Sequence, residues 1–392
     1  MERKRDGSVV VVVGAGILGC SIAVHLVDRG LRPILIDPDQ PGQGASTRSF
    51  ASISAFGKHP AAYFQLASAG MSGWRRFAER LGGEVGLRRA GEIRWASDPG
   101  EGRALAQRVA DARGRGYPVQ AVDRAALGRL LPDARIGPVA AACFAPNDGQ
   151  VEPPLVLRAC RAVLADAGAR LLLGRRARVR LDDDGVRVEV GDELLRPQTT
   201  VLAAGAEAVQ VAAAVALEVP TLSSPGMLVE TRPLPALTDK VVYLPGGPGP
   251  PVHLRQRADG SVLAGERSQE TVASDPGMQH ARALLAQAAR FFPVLAGVPV
   301  ERWWLAWRAM PADRLPIVGP LPWLDSLYLA VSHSGVTLAP VLGRLIAGEV
   351  AEGTADGLLA PFRPGRFAER TTRVMLEVES VFRDPVHQDR ST

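Results

Sequence analysis

Cysteine is scarce in this sequence: Cys20, Cys143 and Cys160 are the three present in 392 residues, and no two stand in C-x-x-C spacing. That excludes a disulfide framework and a thiolate zinc site, and makes them small buried hydrophobes of a reducing compartment. Histidine is sparse too, six scattered without ligand spacing, so no metal site is expected. Charge of one sign does not accumulate: 46 basic and 41 acidic side chains leave a net +5. The densest basic stretch, residues 175–180, runs straight into Asp182, Asp183 and Asp184, the pattern of a solvated strand and turn rather than a nucleic-acid surface. A membrane-spanning run is missing as well. Basic residues at 3–5 followed by apolar ones imitate a secretory signal, but glycines at fixed spacing, His25 and Asp28 interrupt the segment, and a soluble, cytoplasmic protein is expected. With 46% hydrophobic residues the chain is ordinary for a folded enzyme, and its length suits two or three domains.

What is present is concentrated first in residues 9–37, VVVVVGAGILGCSIAVHLVDRGLRPILID. Five valines run into Gly14, Ala15, Gly16, Ile17, Leu18 and Gly19; an amphipathic segment follows, Gly30 stops it, and a second apolar run ends at Asp37. This reads as strand, tight turn, helix, strand, acid. Gly14 permits the turn, Gly16 lets backbone approach a pyrophosphate, Gly19 lets the helix pack on the strand, and the helix N-terminus offers N–H groups to the anion. Asp37 is placed to accept hydrogen bonds from a ribose diol, so the unit reads as a dinucleotide site.

After Asp37 and Pro38 comes a loop of glycines and hydroxyls containing GQGAST, whose backbone amides and the hydroxyls of Ser46, Thr47 and Ser49 can reach the phosphates or the ring beyond. Residues 60–81 carry Phe64, Ala67, Met71, Trp74, Phe77 and Leu81 at helical spacing, a core stripe. Residues 87–144 alternate short strands with polar helices. A helix is expected at 156–167, strands at 169–173, 177–181 and 186–190, and a buried strand from 199 running into the small-residue turn around Ala204 and Gly205. Residues 219–267 look like antiparallel sheet, 279–291 like a helix, 327–331 like a strand, and 337–352 like a helix introduced by SHSG. The polar tail is expected to be mobile.

With these segments in hand, the chain resembles the flavoenzyme family of D-amino-acid, glycine and sarcosine oxidases and related dehydrogenases. The resemblance rests on GAGILG with Asp37, GQGAST, DGQVEP at 148–153, TVLAAGAEA at 200–208, and WRAMPADRLPIVG with SHSGVTLAPVLGRLIA at 307–347. It implies an α/β plus α+β architecture: a Rossmann-like FAD domain assembled from separated segments (1–85, 145–220, 305–375), interleaved with a mostly antiparallel substrate domain (86–144, 221–304), then a tail at 376–392. Gly14, Ala15, Gly16, Ile17, Leu18 and Gly19 would hold the pyrophosphate, Asp37 and Pro38 the ribose, and Ala45, Ser46, Thr47 and Arg48 the flavin side. Ala177 and Arg178 would meet the adenine, and Ala204 and Gly205 would line the cofactor. Ser334, Gly335, Val336, Thr337 and Leu338 would lie under the pyrimidine ring, where a helix N-terminus suits the negative charge of a reduced flavin. The covalent members carry a cysteine at the position of Ala306; this chain does not, so non-covalent FAD is expected.

The resemblance further implies oxidation of the C–N bond of an amino acid or secondary amine by hydride transfer to flavin N5, the imine then hydrolysing, with O2 or another carrier as electron acceptor. Arg308 would clamp a carboxylate, a task its guanidinium fork suits; the surrounding motif is AWRA, without the family's glycine and proline. His253, in VHLRQ, stands where some members place a lysine that assists oxygen, or else binds substrate. His333 would contact cofactor or substrate, and Tyr243 would cover the substrate or simply pack. Lys58 and Arg94 rank behind these, and Trp303, Trp304 and Trp307 are assigned to packing. Two rival readings stay open: an NAD(P)-dependent dehydrogenase, against which the GQGAST loop and the SHSGVTLAP segment weigh, and a flavin-binding subunit or sensor without turnover.

Overall fold

The computed structural model describes residues 9–213, 219–247, 251–266 and 277–367; the basic residues at 3–5 and the tail at 376–392 lie outside that range. Two sheets dominate. The first has six strands in the order Ile317–Leu321, Leu324–Val331, Thr199–Leu202, Val9–Val13, Arg32–Asp37, Arg170–Leu173. All neighbours are parallel except the first pair. A parallel sheet must be covered on both faces. Here one face is covered by helices Ile17–Val27, Gly335–Glu352 and Pro153–Asp166, and the other by the antiparallel three-stranded sheet built on Ala177–Asp182 and Gly185–Val190.

The second sheet has eight strands, in the order Val300–Trp307, Pro225–Pro233, Ser261–Glu266, Val252–Gln256, Val241–Tyr243, Glu92–Ala96, Ala141–Ala145, Gln120–Ala121. It is antiparallel apart from one parallel pair, Val241–Tyr243 with Glu92–Ala96, where the two sequence stretches that build it meet. Its core, with Phe292, Leu254 and Ile93, is separate from that of the first sheet. The expected fold, a Rossmann-like layer interleaved with a mostly antiparallel sheet, is the one observed.

Three local expectations need correction. The helix Ile17–Val27 is not amphipathic: nine of its eleven residues are buried, because the C-terminal helix packs along it and Ser21 Oγ donates to Ala339 O at 2.7 Å. The helix expected at 156 starts at Pro153, since proline fits the first helical turn, where no N–H partner is needed. Trp307 is 48% exposed at the end of an edge strand and does not pack as a core residue.

Candidate functional site

The C-terminal ends of the parallel strands converge on the glycine turn. Gly14 has φ +108, and a Cβ there would lie 2.5 Å from Ala203 O; a Cβ on Gly19 would lie 1.9 Å from Gly14 O. Only glycine lets the turn sit against residues 203–204, which places Ala204 and Gly205 beside it. Ser46 Oγ accepts from Ile17 N at 2.9 Å and would be 3.1 Å from a Cβ on Gly16, so the hydroxyl loop lies directly on the helix N-terminus. Thr47 Oγ1 donates to Gly42 O, bracing the loop, while Ala45 is half-buried and Arg48 exposed. A Cβ on Gly335 would lie 3.5 Å from Leu18 Cγ and 3.8 Å from Ile17 Cγ2, so the N-terminus of the last helix adjoins that of the first.

Asp37 does more than the ribose reading requires. Its Oδ2 accepts from Ala15 N at 2.6 Å and its Oδ1 from Asp39 N at 2.9 Å, past Pro38, tying the second strand to the turn. Burial pushes its carboxyl above the usual range, and these two N–H donors oppose the shift. Arg175 N donates to Asp37 O at 3.0 Å, which brings the start of the Ala177 strand, with half-buried Ala177 and exposed Arg178, to the same end of the sheet. This turn fits an FAD: Gly14 and Gly19 leave no room for a Cβ where strand, helix and residues 203–204 meet, the close packing a pyrophosphate turn needs, with Ala15 N and Ile17 N held by Asp37 and Ser46.

The eight-stranded sheet presents a row of side chains through its register. Arg94 pairs with Tyr243, Tyr243 with His253, His253 with Gly265, and Gly265 with Leu228. Directly opposed residues share a face, so three polar side chains from three strands line up. The Arg94 guanidinium lies 3.7 Å from the Tyr243 ring centroid and 5.1 Å from that of Phe56. Its Nε donates to Glu92 Oε1 at 2.6 Å. His253 lies 5.1 Å from Tyr243 and 3.8 Å from Phe50, ring to ring, which joins the row to the loop after Arg48. Gly265 makes this possible, since a Cβ there would fall 2.5 Å from His253 Nε2.

Arg308 follows the edge strand on the same sheet. Its Nη1 donates to Pro225 O at 2.9 Å, its backbone N to Ser224 O, and a Cβ on Gly226 would collide with its Nη2 at 2.2 Å. Gly226, on the neighbouring strand, thus leaves the space that the Arg308 guanidinium occupies. His333 precedes the last helix. Desolvation, then the fields of Lys58, Arg308 and Arg314, push it down to about 3, so it is neutral at pH 7. Lys58 Nζ and Tyr63 OH both donate to Ser334 Oγ, each at 2.7 Å. Val336 O accepts from Trp74 Nε1 at 3.0 Å, and Thr337 Oγ1 donates to Ser52 O at 3.4 Å. Leu338 is fully buried.

Lys58 and Arg94 thus contact the candidate residues Ser334 and Tyr243, although their local sequence gave them little weight; no short motif marks either. The DGQVEP segment is the other surprise. Asp148 accepts from Ser54 Oγ at 2.6 Å and from the Tyr117 hydroxyl, and burial followed by the nearby Glu92 carboxylate raises its pKa. Glu152 pairs with the buried Arg255 at 2.7 Å and with Arg257 at 2.9 Å. Arg255 also donates to Phe50 O at 2.7 Å. The motif's two acids, visible in the sequence, are struts between the sheets. Among the described residues no cluster suited to a metal ion is found, and no helix is long and apolar enough to cross a membrane.

Comparison with known proteins agrees with this geometry. The model of the FAD dependent oxidoreductase family matches residues 9–349. One of the subunits of opine oxidase from Rhizobium meliloti is 26% identical over 378 residues, covering 91% of this chain and 97% of its own. Glycine oxidase of Geobacillus kaustophilus (strain HTA426) is 26% identical over 366 residues, covering 90% and 95%. The crystal structure of glycine oxidase from Geobacillus kaustophilus superposes with a TM-score of 0.82 at 25% identity, over 90% of this chain and 97% of that one. That of L-proline dehydrogenase from P.horikoshii gives 0.84 at 21% identity, over 93% and 98%, a likeness of fold. From strand order, glycine turn and this match together, the chain belongs to the FAD dependent oxidoreductase family.

Proposed function

We propose that this protein oxidises the C–N bond of an amino acid or secondary amine with non-covalently bound FAD, the imine product then hydrolysing. The observation that carries the reading is Arg308: a half-buried guanidinium seated on Gly226, held by Pro225 O, whose field reaches neutral His333, and within ion-pair distance of no carboxylate among the described residues. A fork so placed is suited to a substrate carboxylate. Bound FAD would supply the hydride acceptor. The chain's own part is orientation, which can account for several kcal/mol of a barrier, on the order of 7–11 in the best intramolecular cases. Arg308 fixes the carboxylate, Tyr243 and His253 wall the substrate from the sheet side, and the buried Arg94 and Glu92 pair holds Tyr243 in place. His333, neutral, adds no charge that would oppose the amine's approach.

The cofactor would be held by residues 14–19, Asp37 and Pro38, residues 45–48, Ala177 and Arg178, Ala204 and Gly205, and residues 334–338. The division into segments 1–85, 145–220 and 305–375 for FAD, with 86–144 and 221–304 for substrate, accompanies this assignment. The electron acceptor is O2 or another carrier. A reducing compartment such as the cytoplasm suits three buried free cysteines. The Rhizobium meliloti relative is one part of a larger oxidase, which favours a second reading in which this chain too works within a multi-chain enzyme.

The test is anaerobic. A panel of D-amino acids, glycine, N-methylglycine, proline analogues and other secondary amines should contain a compound that bleaches the flavin; reduction by a 2-hydroxy acid and by no amine would sink the assignment. In Arg308→Ala the Michaelis constant for carboxylated substrates should rise by about 10- to 100-fold, the weight of a lost charge-assisted pair of about 1.5–3 kcal/mol, with FAD affinity kept.

A further inference from the structure

Two buried polar atoms flank the Arg308 guanidinium, and neither has a hydrogen-bond partner among the described residues. One is Oγ of Ser224, a residue 3% exposed; the other is Nε1 of Trp304, closed off from solvent although its ring is partly open. A buried donor left unmade costs free energy, so each such group needs a reason.

Sheet register puts both beside Arg308. Strands Pro225–Pro233 and Val300–Trp307 pair Pro225 with Trp307 and Leu228 with Trp304, and the same register runs on to Leu222 with Met310. Residues 224, 226 and 228 therefore point to one face. Gly226 marks that face, since a Cβ there would fall 2.2 Å from Arg308 Nη2. Ser224 is one step to one side, its O accepting from Arg308 N at 2.9 Å. Leu228 is one step to the other. Its Cδ2 lies 2.5 Å from the point that a Cβ on Gly265 would occupy, and so does His253 Nε2. Trp304, opposite Leu228, thus extends the row of Arg94, Tyr243 and His253. Its neighbours Trp303 and Leu305 turn the other way, onto the core of Phe292.

The donors match one ligand group. A carboxylate has two oxygens with about four acceptor sites. Arg308 gives one N–H to Pro225 O and one, at 3.5 Å, to Glu266 O, which keeps the rest of its fork for a ligand. A fork fills two acceptor sites, and away from water the others need donors from the protein. We infer that Ser224, through Oγ–H, and Trp304, through its indole N–H, donate to the carboxylate that Arg308 holds, and so set a preference for a free carboxylate over its amide. This rests on the reading of Arg308 given above and adds two binding residues to it, with no bond made or broken at either.

The holoenzyme is titrated with acetate, pyrrole-2-carboxylate and benzoate and with their carboxamides, binding being read from perturbation of the oxidised flavin spectrum. A carboxylate should bind at least about tenfold more tightly than its amide. Ser224→Ala and Trp304→Phe should each weaken the carboxylate by about tenfold, the scale of a hydrogen bond to a charged group, and leave the amide within about twofold. Two further readouts separate this from a packing role. With tryptophan labelled at the indole nitrogen, the N–H resonance that Trp304→Phe removes should move downfield as carboxylate is added. Ligand-free Ser224→Ala should melt no lower than the wild type, because it deletes a group without a partner. Equal weakening of acid and amide, a resonance that stays in place, a lowered melting temperature in Ser224→Ala, loss of FAD in either variant, or no binding of any carboxylate overturns the inference. If an amine bleaches the flavin while both variants bind carboxylates like the wild type, these two residues are excluded and the C–N reading stands. If the variants behave as expected yet no amine bleaches the flavin, the C–N reading has failed and the carboxylate site stands.

Discussion

A histidine held neutral by its surroundings costs the fold something whenever the unfolded chain would protonate it. His333 sits at about 3 against an ordinary value of 6.5, because burial and the fields of Lys58, Arg308 and Arg314 all disfavour the imidazolium. Its contribution is fully present above pH 6.5, where both states are neutral, and is lost as pH falls from there toward 3, where the unfolded chain binds the proton first. At pH 5 the loss amounts to about 2 kcal/mol. His333→Gln should therefore flatten the fall in urea midpoint between pH 7 and pH 5; an equally steep fall in the variant would assign it to other groups. The cysteines are the opposite case. Cys143 and Cys160 are each pushed up to about 12, chiefly by burial, so neither is primed to react as a thiolate.

At the scale of elements, the site depends on where the last helix begins. Helix Ala61–Arg80 crosses it at two glycines. A Cβ on Gly70 would lie 2.4 Å from Thr337 O, and one on Gly73 would lie 3.1 Å from Pro340 Cβ. The stripe read as core does form core, with Met71, Trp74 and Phe77 buried, yet Trp74 also bonds Val336 O, and Tyr63 from the same helix bonds Ser334. This helix sets the position of the N-terminus assigned to the flavin. Gly70→Ala should cost about 1–3 kcal/mol through overpacking and shift residues 334–338. A lowered melting temperature together with weaker FAD binding is expected; a variant that loses stability but binds FAD with unchanged affinity would show that the crossing does not position the site.

At the scale of the whole molecule, the two sheets are fastened by ions. Arg255, on the eight-stranded sheet, is fully buried and spends its guanidinium on Glu152, Gln150 and Phe50 O, all outside that sheet. Arg257 bridges Glu152 to Glu230, and Arg302 also reaches Glu230 at 2.8 Å. Breaking such a pair leaves a buried charge uncompensated, which costs about 3–5 kcal/mol. Glu152→Ala should lose that much in urea unfolding, whereas the exposed pair of Arg75 and Glu79 should be worth well under 1 kcal/mol, roughly the value of such surface pairs. A loss in Glu152→Ala of the same small size would mean that the strut contributes little.

The dinucleotide unit was legible in the letters because its chemistry is local. Turn, helix start and terminal acid lie within residues 9–37, and steric rules for glycine and the open N–H groups of a helix act over a few residues. The core stripe of helix Ala61–Arg80 was legible for the same reason, through its period. The substrate face was not. Arg94, Tyr243 and His253 come from three stretches, and each alone looks like an ordinary strand residue; hydrogen-bond register placed them in one row, and Gly265 and Gly226 made room for His253 and Arg308 from neighbouring strands. Lys58 likewise gained its meaning from Ser334, far along the chain. Local spacing made the dinucleotide-type turn legible, because its steric rules act over a few residues, and sheet register decided which side chains line up on the face proposed for the substrate.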